Sequence, residues 1–129
     1  MEKERFEFLG NQVFTAALEV HKNLGPGLSE TVYEFAMIKE LELREIPVQY
    51  QAKIPLFYKG FELGKDFLVD ILVEKEVLVE VKSCEDGLRP VHKAQLLSFL
   101  KLADKRLGFL INFNASLLKE GFERMVYKY

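Results

Sequence analysis

Seven residues, Leu107-Gly108-Phe109-Leu110-Ile111-Asn112-Phe113, constrain this chain more than any other stretch. They are apolar at odd and even positions alike. A strand turns alternate side chains to opposite faces, so a strand of this kind needs cover on both. The rest of the chain shows helical periodicity as well as strand alternation. The combination calls for a sheet with helices packed on it. The length, 129 residues, suits a single domain spanning 1–129.

The flanking segments supply the layers. Val13, Ala17, Val20 and Leu24 recur at helical spacing and predict a helix over about 11–24, stopped by Gly25-Pro26-Gly27. Ser29 is a favoured N-cap. It predicts a second helix to about Arg44, with Glu30, Tyr33, Met37 and Leu41 on one stripe. Val48, Tyr50, Ala52, Ile54 and Leu56 alternate with Gln49, Gln51 and Lys53, which predicts a strand with one wet face. Pro55 marks a sheet edge or a bulge in it. Lys59-Gly60 makes a turn. Residues 66–73 and 77–82 are two more strands, close enough to form a hairpin. Residues 83–90 form a loop, 91–103 a third helix, and 122–127 a last edge strand or tail. The order α-α-β-β-β-α-β(-β) describes an α/β fold with a mixed sheet, because the helix between the hairpin and the buried strand permits a parallel crossover.

Polar residues break this pattern at informative places. Asp70 interrupts Phe67-Leu68-Val69-Asp70-Ile71-Leu72-Val73, where an unpaired buried carboxylate is costly. Glu80 and Lys82 share one face of the next strand, opposite Val77, Val79 and Val81. Pairing Val73 with Val77 sets Asp70 opposite Glu80. Two carboxylates facing each other repel, and a hard cation between them removes the conflict, since Mg²⁺ prefers oxygen ligands. A solvated cross-strand charge pattern neutralised by Lys82 is the alternative. Glu30 sits on a stripe aimed at the sheet, or serves as a first-turn acid for the helix dipole. Gln95 shares a stripe with Val91, Phe99 and Leu102, as a site residue or as a satisfied core amide.

These residues resemble a known family. Gly27-Leu28-Ser29-Glu30-Thr31-Val32-Tyr33 reads G-x-x-E-x-x-Y, the motif of the GxxExxY protein family, which is similar to the PD-(D/E)XK nuclease superfamily. Asp70 followed by Glu80-Val81-Lys82 resembles the superfamily's D…(D/E)-x-K core. Gln95-Leu96-Leu97-Ser98-Phe99 resembles the Q-x-x-x-Y motif of its helicase-linked exonuclease branches, with Phe in place of Tyr. The likeness runs from about Asn11 to Met125, including Leu110-Ile111-Asn112-Phe113 and the Lys-Glu-Gly turn at Gly121. It implies a restriction-endonuclease-like fold, and Mg²⁺ or Mn²⁺ held by Asp70, Glu80 and the carbonyl of Val81, with Glu30 helping from the helix. It also implies catalytic roles for Glu30, Asp70, Glu80, Lys82 and Gln95, and DNA or RNA as substrate.

Composition narrows the setting. The net charge of −2 does not mark a dedicated duplex binder, whose footprint is strongly basic. Lys65, Lys93, Lys101, Lys105 and Arg106 are candidate phosphate contacts or simply solubilising. Cys84 is the single cysteine, so no intrachain disulfide forms, and a reduced, cytoplasmic setting fits. No stretch approaches the ~20 apolar residues of a membrane span, and the mixed-charge start does not read as a signal peptide. His21 and His92 have no mate at ligand spacing, and His92 reads as a surface residue. A metal-dependent nuclease is the leading expectation. A non-catalytic nuclease-fold module within a complex, a metal-stabilised structural domain, and a protein partner or second copy stay open.

Overall fold

The computed structural model describes residues 1–129. Helix α1 spans Lys3–Leu24 and α2 spans Glu30–Leu43; strands β1 (Val48–Tyr58), β2 (Phe61–Val73) and β3 (Val77–Lys82) follow. Helix α3 (Pro90–Ala103), β4 (Leu107–Asn112), a 3₁₀ turn (Leu118–Gly121) and β5 (Phe122–Val126) complete the chain. The five strands lie in the order β1-β2-β3-β4-β5. Only β3 and β4 run parallel, with α3 as the crossover between them. The mixed sheet and flanking helices match the expected order, and β4 is buried at every position. Helix α1 starts eight residues earlier than its core periodicity indicated, because Phe6 and Leu9 extend the buried face of Val13 and Val20.

Helices α1 and α2 cover one face, where Val13, Tyr33, Met37 and Leu41 pack on Ile71, Val79, Phe109 and Ile111. Helix α3 covers the other, where Leu96 and Leu100 pack on Leu72, Leu78 and Leu110. Pro55 lies at a bulge on the edge strand, since the β1–β2 register shifts between Pro55 and Phe57.

The expected continuous alternation of β1 does not hold. Val48 joins the α1–α2 core, whereas Ala52, Ile54 and Leu56 join the α3 core. Strand β2 switches at the same level: Ile71 and Val73 face α1–α2, but Val69 and Phe67 face α3. Residues two apart on a regular strand share a face, so the backbone must kink between them. Gln51 supplies the kink, with φ of 51°, a left-handed conformation that costs a non-glycine residue energy. Gln51 and Asp70 fall between the regular pairs Tyr50–Ile71 and Ala52–Val69. Beyond this level β2 no longer pairs with β3, whose last regular partners are Ile71 and Val79. The first half of β2 therefore swings away with β1 and leaves a gap beside β3.

Candidate active site

The gap is where Asp70 and Glu80 meet. The backbone N–H of Asp70 donates to Glu80 Oε1 at 3.1 Å, and the N–H of Val81 donates to Asp70 Oδ2 at 2.8 Å. Each carboxylate thus satisfies an amide that the parted strands leave unpaired, and each keeps one oxygen free of these bonds. Burial, and then the charge of Asp70, push the Glu80 carboxyl up to about 8. The extended residue Val81 turns its N–H toward β2, and its C=O points to the same edge.

The second turn of α2 brings a third acid. Glu34 is buried, accepts a hydrogen bond from Gln51 Nε2 at 3.2 Å, and is held above the ordinary carboxylate range by burial and then by Asp70. The same Gln51 amide reaches Asp70 Oδ1 at 3.5 Å. Neither Glu34 nor Gln51 was singled out in the sequence. Glu34 was findable, because it shares the 33/34/37/41 face with Tyr33, Met37 and Leu41. Glu30, expected to turn toward the sheet, is instead exposed in the first turn of α2. Its charge still reaches Glu34 and His92.

On the α3 side, Glu80 and Lys82 form one wall of a 190 Å³ cleft whose other wall carries His92, Gln95 and Phe99. Phe67 and Leu110 also line it, and Phe67 stacks on Phe99 with centroids 3.6 Å apart. Gln95 is exposed on the rim rather than in the core; Leu96, Leu100 and Ala103 are the buried residues of α3. His92 is not the plain surface residue expected. It is half-buried in the cleft wall, and its Nδ1 accepts the N–H of Arg89 at 3.1 Å. That bond leaves Nε2 to carry the ring proton. Burial, and then Lys82 and Arg89, lower its basicity, so the ring is a neutral donor at neutral pH.

The G-x-x-E-x-x-Y stretch fixes the loop ahead of α2. The Tyr33 hydroxyl donates to the carbonyl of Gly25 and accepts the N–H of Leu28 at 3.2 Å, while its ring stacks on Phe113 at 4.6 Å. Ser83 Oγ, just past β3, donates to the carbonyl of Leu28 at 2.7 Å. The motif's tyrosine is therefore scaffold, and it sets where Glu30 stands. Asn112 anchors the loop after β3, because its side-chain amide exchanges hydrogen bonds with the N–H and C=O of Cys84.

The donor set suits a hard cation: two carboxylates, each with one oxygen not taken by a backbone amide, and a carbonyl at the same edge. No three His, Cys, Asp or Glu side chains converge closely enough to complete a site alone. Mg²⁺ characteristically takes one or two carboxylates and keeps several waters, so the pair fits.

A mixed sheet that parts at an acid, with acid-x-lysine on the next strand, defines a restriction-endonuclease-like α/β protein. Residues 7–125 match the family model described as the PD-(D/E)XK nuclease superfamily, and the chain belongs to that superfamily. Membership supports a nuclease-type function in general terms. No curated protein and no solved structure matches the chain. No helix is long and apolar enough to cross a membrane.

Proposed function

We propose that the protein is a Mg²⁺- or Mn²⁺-dependent nuclease that hydrolyses phosphodiester bonds of DNA or RNA at the β2–β3 gap. The observation that carries this reading is the Asp70–Glu80 pair, held by two backbone amides at the parted strands, with Lys82 on the cleft side. Asp70, Glu80 and the Val81 carbonyl would hold the cation, with Glu30 at the mouth of the site. A cation there supplies Lewis-acid polarisation of a phosphoryl oxygen and a more acidic bound water.

The chain's own residues do the rest. Glu80 holds a proton at neutral pH until a cation displaces it. Glu34 fixes Gln51, and Gln51 fixes Asp70, so the acid keeps one orientation. Lys82 is a point charge that orients the attacking water and stabilises charge developing on the phosphoryl oxygens. Gln95 and the Nε2–H of His92 are neutral donors for a phosphate oxygen in the same cleft.

The test is incubation of the purified protein with single- and double-stranded DNA and RNA, in Mg²⁺, Mn²⁺ or EDTA. Cleavage should require the metal. Lys82→Ala should lose turnover by roughly 10²–10³ while still binding Mn²⁺. Equal cleavage by variant and wild type, or no cleavage of any substrate, overturns the reading.

A further inference from the structure

A second concavity lies beyond the cleft on the α3 side of the molecule. It is a groove of about 730 Å³ between the tip of the β1–β2 hairpin, the end of α3 and the chain end after β5. Lys59, Lys101, Lys105 and Lys128 line it, together with Phe57 and Tyr127. Its one acid, Asp104, is neutralised by Arg106 at 2.9 Å. Lys105 is engaged by Glu76 at 3.7 Å, but Lys59, Lys101 and Lys128 are exposed and form no salt bridge.

This patch contrasts with the rest of the surface. Residues 1–46 carry five Lys and Arg against nine Asp and Glu, whereas residues 47–129 carry thirteen against eleven. The near-neutral total thus hides a segregation, with the acidic excess on the two N-terminal helices. The groove lies further along α3 than the cleft. Gln95 and Phe99 line the cleft, and Lys101 and Leu102 line the groove. From Gln95 to Lys101 the helix rises about 9 Å.

We propose that this groove is the track for a single strand of nucleic acid leading to or from the cleft, with Lys59, Lys101 and Lys128 on its phosphates and Phe57 against a base. The inference rests on the nuclease reading for the identity of the strand. A single strand fits better than a duplex because the groove interleaves lysines with aromatic rings, and only unstacked bases offer a face to an aromatic side chain.

The experiment is fluorescence anisotropy of a labelled 12-nucleotide single strand, and of its duplex, with the wild-type protein in EDTA, where binding is read without turnover. Lys59→Glu/Lys101→Glu/Lys128→Glu should weaken single-strand binding about tenfold or more. It should also flatten the plot of log K against log[salt] by about 2, the counterion term for three single-strand phosphates. Phe57→Ala should cost about fivefold to a hundredfold, the value of one stacked base, with the salt slope unchanged. Lys22→Glu, an exposed site on the acidic side, should match wild type. Unchanged binding by the triple variant, or tighter binding of the duplex, overturns the track. Repeating the series with Mn²⁺ separates the two readings. Groove-dependent binding without cleavage keeps the track and removes the nuclease reading. Cleavage with the same KM in the triple variant keeps the nuclease reading and removes the track.

Discussion

Replacing Glu80 by Gln should make the metal-free protein more stable, and increasingly so as pH rises. Burial and the Asp70 charge hold the Glu80 carboxyl at about 8 in the fold, against an ordinary value of 4.5. Between these values the folded state binds a proton that the unfolded state has released, so stability falls as pH rises and levels off above about 8. For one proton the slope is at most about 1.4 kcal/mol per pH unit. In a chain of this size 1 kcal/mol moves the midpoint by roughly 3–5 °C, so the slope is at most ~4–7 °C per pH unit. The glutamine has no proton to lose, and its oxygen still accepts the N–H of Asp70. Melting scans of both proteins in EDTA from pH 5 to 9 should therefore diverge up to pH 8 and run parallel beyond it. Added Mn²⁺ at a hundredfold excess over Kd should raise wild type by about 2.7 kcal/mol and the variant by little. Parallel curves between pH 5 and 8 would refute the burial argument. An equal response to Mn²⁺ would place the cation elsewhere.

The affinity of wild type for Mn²⁺, measured by titration calorimetry, should increase with pH and flatten near 8, because the cation must displace the Glu80 proton; a flat profile from pH 6 to 8 contradicts this. Tyr33→Phe keeps the stack on Phe113 but leaves the Gly25 carbonyl and Leu28 N–H short of a partner. It should cost about 1–3 kcal/mol, read as a lower melting midpoint. Gly121→Ala places a Cβ 2.4 Å from the Asn112 carbonyl oxygen, so a loss of about 1–3 kcal/mol is expected; an unchanged denaturation midpoint would show that the turn yields freely.

The sequence by itself determined the element order, the double-sided burial of β4 and the Val73–Val77 register that sets Asp70 level with Glu80. These follow from period and turn chemistry, which are local. It also placed Lys82 and Gln95 on the cleft, because strand parity and helix stripes survive packing where the elements stay regular. Only the tertiary structure decided what lies where regularity fails. The left-handed Gln51 kinks the β1–β2 hairpin, exchanges the faces of both strands and parts β2 from β3, and no periodicity encodes such a break. The packing of α2 on the sheet decided between two acids one turn apart, leaving Glu30 exposed and burying Glu34 against Gln51, because a stripe gives direction around a helix but not position along the sheet. His92 entered the cleft for the same kind of reason: the N–H of Arg89, donated to its Nδ1 at the start of α3, aims the ring, and the wall it meets comes from strands ten and more residues away in the chain.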